Sequence, residues 1–179
     1  SRIVTSPCFG SGKVIGAILF EKTMDGEAGG QPVPELLWER GVVPFLKVDT
    51  GLAEEADGVQ LMKPNPDLEA LLDRANAKGI FGTKMRSVIK LANPAGIAAV
   101  VAQQFDEAKR ILAKGLMPII EPEVSIKSPE RDAADRIMLA EILKQLDAVP
   151  ERERVMLKLT IPAEPGLFQA WVDHHKVLR

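Results

Sequence analysis

Four charged residues, Lys47, Lys84, Glu121 and Lys158, recur at a constant separation of 37 residues, one in each of four strand-like runs. Their neighbours echo one another, as Val-Pro-Phe-Leu-Lys47 and Met-Pro-Ile-Ile-Glu121 do. A period of that length accommodates one strand and one helix, so the chain is expected to repeat a βα unit. The runs read as strands over Val14–Phe20, Val42–Asp49, Ile80–Lys84, Leu116–Glu123 and Val155–Ile161, with Val177 opening a sixth. Each is apolar throughout, as a strand covered on both faces must be.

Helical patterns separate the strands. Gly26 to Pro34 reads as a loop and Glu35 to Gly41 as a short helix. Pro66 to Lys78 carries Leu68, Leu71, Leu72 and Ala75 on one face, and Gly79 ends it. Pro94 to Lys114 turns Ile97, Val101, Phe105, Ala108 and Leu112 inward. Ser128 is expected to cap a helix with Met138, Ile142, Leu146 and Val149 as its stripe. Leu167, Phe168, Trp171 and Val172 mark a last helix, and Trp38 and Trp171 read as packing between barrel and helices.

Alternation of this kind means a parallel sheet clothed in helices. A doubly wound sheet would carry a glycine-rich turn after its first strand, and none follows Phe20. The expected fold is therefore a (β/α)8 TIM barrel. Since a closed one takes about 250 residues, residues 1–179 are expected to supply one partial domain of about five to six βα units.

Residues two apart share a face of a strand. Lys47, Lys84 with Arg86, Glu121 with Glu123, and Lys158 therefore point into the barrel near the C-terminal strand ends, where such barrels build their sites. Lys158 stands between Leu157 and Leu159. Burial there, with other cations near, would lower its pKa and free an amine to attack a carbonyl. The resulting imine is an electron sink for C–C bond chemistry. Glu121 and Glu123 can hold one proton between them and expel water from the carbinolamine. Lys84 and Arg86 suit an anionic substrate such as a phosphate. The structural alternative for Lys158 alone is a salt-bridged lysine.

The strand motifs resemble those of class I fructose-bisphosphate aldolases, the bacterial branch most closely. The segments that carry the likeness are Gly16-Ala-Ile-Leu-Phe-Glu-Lys-Thr23, Val43-Pro-Phe-Leu-Lys-Val-Asp49, Gly79-Ile-Phe-Gly-Thr-Lys-Met-Arg86, Met117-Pro-Ile-Ile-Glu-Pro-Glu-Val124 and Val155-Met-Leu-Lys-Leu-Thr-Ile-Pro162. The resemblance implies a barrel enzyme that cleaves fructose 1,6-bisphosphate to dihydroxyacetone phosphate and glyceraldehyde 3-phosphate in glycolysis, with no metal or cofactor. It implies Lys158 as Schiff-base nucleophile, Glu121 as general acid, Glu123 as the residue orienting its neighbours, and Lys84 as a group positioning and protonating the intermediate. Lys47 and Arg86 would contact the substrate. It also places an aspartate of the cleavage step ahead of Ser1, and a phosphate-binding Ser-Gly-Gly loop and arginine beyond Arg179. The expectation is a piece of an aldolase with impaired turnover at this length. Two other functions compete: a different imine-forming barrel enzyme, such as a transaldolase or deoxyribose-phosphate aldolase, and a catalytically silent module for binding or assembly. Family members are often homo-oligomeric, and exposed barrel edges would favour association.

Other signals carry less. Lys and Arg number 23 against 25 Asp and Glu, and aromatics are 4 %, so neither a nucleic-acid surface nor a base-stacking platform is expected. No apolar run approaches the ~20 residues of a membrane span. With one cysteine, Cys8, no internal disulfide can form, and a cytoplasmic protein is the expectation. Gly10-Ser-Gly-Lys13 lacks the glycine and hydroxyl of a phosphate loop, since Pro7 and Val14 stand at those places. His174 and His175, adjacent on a helix, would point apart and hold no metal together. Glu121-Pro-Glu123 could bind a divalent cation in another barrel, but no His or Asp ligand joins it in the motif.

Overall fold

A computed structural model of the protein describes residues 3–9 and 12–178. The Gly10–Lys13 motif therefore lies partly outside the described residues. In chain order the elements are β1 (Gly16–Leu19), α1 (Glu21–Met24), β2 (Glu27–Ala28), β3 (Gln31–Pro32), α2 (Val33–Glu39), β4 (Val43–Lys47), β5 (Val59–Gln60), α3 (Leu68–Ala77), β6 (Gly82–Ile89), α4 (Pro94–Ala113), β7 (Met117–Val124), α5 (Arg131–Ala148), β8 (Met156–Leu157) and α6 (Gln169–Val172).

The main sheet runs β1-β4-β6-β7-β8, and every neighbouring pair along it is parallel. Each strand lies beside the next parallel strand in sequence, so the order never reverses as it does in a doubly wound sheet. That is the path of a barrel, and the sheet remains open. Val177 begins the next step through a parallel bridge to Val155.

Helices cover the outer face. Leu46, Met85, Ile89 and Ile120 point outward from their strands and are buried, as are Ile97, Val101 and Phe105 on α4, which packs on β6 and β7. The expected stripe of α5 is buried from Met138 to Val149. Trp171 is buried too, but Trp38 is exposed and donates its indole N–H to the Gly79 carbonyl at 2.6 Å. The α5 helix begins at Arg131 rather than at Ser128, whose Oγ instead closes a turn by accepting the Glu130 N–H at 3.2 Å. Within the expected loop over 26–34 the chain makes the small hairpin β2–β3. Residues 50–65, for which no periodicity announced an element, supply β5, antiparallel to the end of β6.

The even spacing of charges does not put them all at one level. Lys47 pairs with Lys84, but Glu121 pairs with Arg86, so the ladder slides by two residues between β6 and β7. Staggers of this kind tilt strands around a barrel. Lys84 consequently reaches Glu121 diagonally, from one pleat below.

The last strand is shorter than the sequence pattern suggests. The Lys158 N–H donates to the Ile120 carbonyl at 3.0 Å. A parallel ladder would return the bond from the amide of residue 122 to the Lys158 carbonyl. Pro122 has no amide hydrogen, so regular pairing stops at Leu157.

Gly82 faces inward between Phe45 and Met117. A Cβ there would meet the Met117 carbonyl oxygen at 2.2 Å and the Phe45 ring at 3.0 Å. Gly82→Ala should therefore prise β6 from β7 and cost about 2–3 kcal/mol, read as a fall in urea midpoint. An unchanged midpoint would show that the strands part without strain.

Candidate active site

Three inward residues on three consecutive parallel strands meet at one carboxylate. Glu121, from β7, sits with its side chain 4 % exposed. Its Oε1 accepts a hydrogen bond from Lys158 Nζ at 2.7 Å, and its Oε2 lies 2.6 Å from Lys84 Nζ. The second contact is an ion pair without hydrogen-bond alignment. Glu121 therefore bridges the two lysines, one from each neighbouring strand.

The lysines differ in setting. Lys84 is enclosed, with 10 % of its side chain exposed, whereas Lys158 is 53 % exposed on the open concave face. The sequence led to the opposite expectation, because Lys158 has leucines on both sides. Those leucines point to the outer face, whereas Lys158 between them enters the hollow where the sheet is open. Burial therefore acts on Lys84. It pushes the Lys84 ammonium down to about 8, Asp49 opposes that shift, and Lys158, Lys47 and Arg86 add to it.

This pKa predicts a pH dependence. Folded Lys84 releases its proton at about 8 and an ordinary lysine at 10.5. Between those values the folded state binds fewer protons, so stability rises with pH across the window. The penalty is present in full below the folded pKa and is relieved as the unfolded one is passed. The stability difference between wild type and Lys84→Met should shift toward wild type by up to about 3 kcal/mol from neutral pH to about 10.5. A pH-independent difference in urea titrations would contradict it.

The other predicted residues form a second tier. Arg86 Nε lies 3.4 Å from Glu123 Oε2, both partly exposed. Glu123 thus turns to an arginine, and the groups at the two oxygens of Glu121 are lysines. The proton-sharing pair of glutamates expected from the sequence is replaced by a glutamate shared between amines. Lys47 Nζ meets Asp49 Oδ1 at 2.5 Å and stands 6.0 Å from the centre of the Phe20 ring. A cavity of about 520 Å³ opens beside Lys47 and Asp49, lined also by Phe20, Asn65 and Arg74.

Two residues of the site were not singled out in the sequence. The Asp49 side chain is 4 % exposed; it holds Lys47 through Oδ1 and accepts the Arg86 backbone N–H through Oδ2 at 3.2 Å. Its position two beyond Lys47 on the inward face was the available signal. Gln104 lies in the apolar stripe of α4, fully buried, and bonds the peptide of Glu121. A lone amide among Ile97, Val101 and Phe105 was the clue.

His174 and His175 are not on a helix but follow α6 in a turn, and their rings stack at 4.9 Å. His175 Nε2 approaches Glu151 at 3.1 Å and His174 Nε2 approaches Asp147 at 3.8 Å. Among the described residues no three His, Cys, Asp or Glu side chains converge as a metal site. Cys8 is exposed. No helix among the described residues is long and apolar enough to cross a membrane.

The model of the family Fructose-bisphosphate aldolase class-I matches residues 3–160, a span that contains every residue of the cluster. The chain belongs to this family. Among solved structures, it is similar to the fructose-bisphosphate aldolase of Plasmodium falciparum, solved in a ternary complex with TRAP and a small-molecule inhibitor. That match has a TM-score of 0.73 at 22 % identity over 88 % of this chain, and identity that low carries the fold alone. The chain spans about half of that structure, 49 % of its length. The open sheet thus resembles part of an aldolase barrel, and its charged cluster occupies the C-terminal strand ends, the face on which barrel enzymes build their sites.

Proposed function

We propose that the protein acts as a Schiff-base aldolase on a phosphorylated ketose, with fructose 1,6-bisphosphate as the substrate that the family suggests. The observation that carries the reading is Glu121 held between Lys158 and Lys84 at 2.7 and 2.6 Å. A lysine becomes a nucleophile only when it surrenders a proton. In this reading Glu121 takes that proton from Lys158, leaving a neutral amine beside a neutral carboxyl. The amine nitrogen bonds to the substrate carbonyl carbon as the C=O π pair moves to oxygen, and one proton then passes from that nitrogen to the oxygen, giving the hydroxyl of a neutral carbinolamine. Glu121 then returns the proton to that hydroxyl, water leaves, and the C=N bond forms. One carboxyl thus serves as base and then acid, at the same oxygen.

Lys84 supports the sequence from the other oxygen. Because burial lowers its pKa to about 8, it gives up a proton more readily than an ordinary lysine and can replenish Glu121 or protonate the developing intermediate. Lys47 and Arg86, each braced by an acidic partner, are proposed to take the anionic ends of the substrate, with Glu123 fixing Arg86. The single cysteine, the near-neutral charge and the sugar-phosphate substrate fit a cytoplasmic enzyme. No residue in this account calls for a metal or cofactor.

The direct test is intact-mass analysis after incubation with dihydroxyacetone phosphate and borohydride, which reduces an imine to a stable amine. One adduct, mapped by peptide digestion to Lys158, is expected. Absence of any adduct on the folded protein would overturn the reading. An adduct formed with a ketone acid but not with the phosphorylated ketose would point to another imine-forming barrel enzyme.

A further inference from the structure

We infer that Gln104 is a positioning residue for Glu121, and this inference rests on the aldolase reading above. Gln104 projects from α4 and is completely buried. Its Oε1 accepts the Glu121 backbone N–H at 3.2 Å, and its Nε2 reaches the Glu121 carbonyl at 3.3 Å. The same Nε2 donates to Ser87 Oγ at 2.9 Å and approaches the Met85 carbonyl at 3.4 Å. One amide therefore grips both sides of the Glu121 peptide and ties it to β6, the strand that carries Lys84 and Arg86.

The geometry explains why such a grip belongs here. Glu121 must hold its two oxygens within bonding reach of lysines on opposite neighbouring strands. A small rotation of its peptide would swing the carboxylate toward one and away from the other. Just beyond Glu121, Pro122 withholds a ladder bond, so the sheet fixes this stretch of β7 less firmly than an ordinary strand. A buried glutamine is costly unless its amide is satisfied on both sides. Here the satisfied partner is the backbone of the proposed acid, in a stripe that α4 otherwise fills with hydrocarbon.

The test compares wild type, Gln104→Met and Ser87→Ala in borohydride trapping with dihydroxyacetone phosphate. Methionine keeps the length and fills the space without the bonds, and the serine change removes the strongest of them without touching Glu121. The plateau trapping rate should fall about tenfold in Gln104→Met and about threefold in Ser87→Ala, with half-saturation within about twofold of wild type. The pH midpoint of the plateau should also move by about half a unit or more, which mere loss of folded protein would not cause. Plateau and midpoint unchanged in a folded Gln104→Met would overturn the inference while leaving the aldolase reading intact. If Gln104→Met does not fold, Ser87→Ala decides: its unchanged plateau and midpoint overturn the inference, and a fall with the shift supports it. No adduct in wild type would bring down the aldolase reading, and this inference with it.

Discussion

Lys158→Ala should lose the borohydride-trapped adduct entirely and any ketose cleavage by about 10⁴-fold or more, because the proposed nucleophile is removed rather than weakened. The fold should barely register the change. Lys158 is half exposed, with 53 % of its side chain accessible, so its ion pair with Glu121 contributes at most about 1 kcal/mol after screening. That asymmetry makes the experiment decisive, since a large chemical effect will stand against a nearly constant urea midpoint. Lys158→Arg sharpens it. The guanidinium keeps a positive charge beside Glu121 yet stays protonated at any working pH and cannot form the imine. Both variants should be silent in the mass spectrum. An adduct that persists in Lys158→Ala and maps to Lys84 would transfer the nucleophile's role to the enclosed lysine and revise the mechanism.

Replacing Glu121 should damage both chemistry and stability, in proportions that depend on the replacement. Glu121→Ala leaves Lys84 enclosed without its nearest carboxylate, and removing one member of a buried ion pair costs about 3–5 kcal/mol. Glu121→Gln fills the same space and can still accept from Lys158, so its stability loss should be about half as large. Neither variant can carry the proton. Trapping rates should fall by about 10²- to 10⁴-fold in both, the range lost with a general acid. The comparison separates the two roles: equal rates with unequal urea midpoints are the expected pattern. A Glu121→Gln protein that traps substrate at the wild-type rate would remove Glu121 from proton transfer.

Much of this arrangement was legible in the sequence. The recurrence of charged residues at 37-residue intervals marks the strand–helix unit, and strand parity brings Lys84, Glu121 and Lys158 to one face. The parallel order of the sheet followed as read, and where a sixth strand was expected Val177 makes an isolated parallel bridge to Val155. What escaped depends on relations between strands. The slide of two residues between β6 and β7 is a property of the pairing, so equal spacing along the chain could not announce it. Which lysine is enclosed was misjudged for a similar reason. Flanking leucines report on the outer face of β8, while the exposure of Lys158 depends on what stands across the hollow. Asp49 and Gln104 were visible as residues, but only the fold reveals that their partners are an arginine amide and a glutamate peptide.

The interruption at Pro122 has a mechanical consequence for Lys158. Its amide is anchored to Ile120, while the bond that a parallel neighbour would send back to its carbonyl is withheld. The Lys158 backbone is therefore tied to β7 by its amide, and the next tie is the Thr160 hydroxyl, which donates to the Val124 carbonyl at 2.8 Å. In the proposed reaction the amine leaves a carboxylate, closes on a carbon and later lets go of it, and its attachment point moves each time. Here that travel breaks no β7 ladder bond at the Lys158 carbonyl, because Pro122 has none to give. The firmly held part of the site is the proposed acid, the compliant part is the proposed nucleophile, and one ring without an N–H divides them.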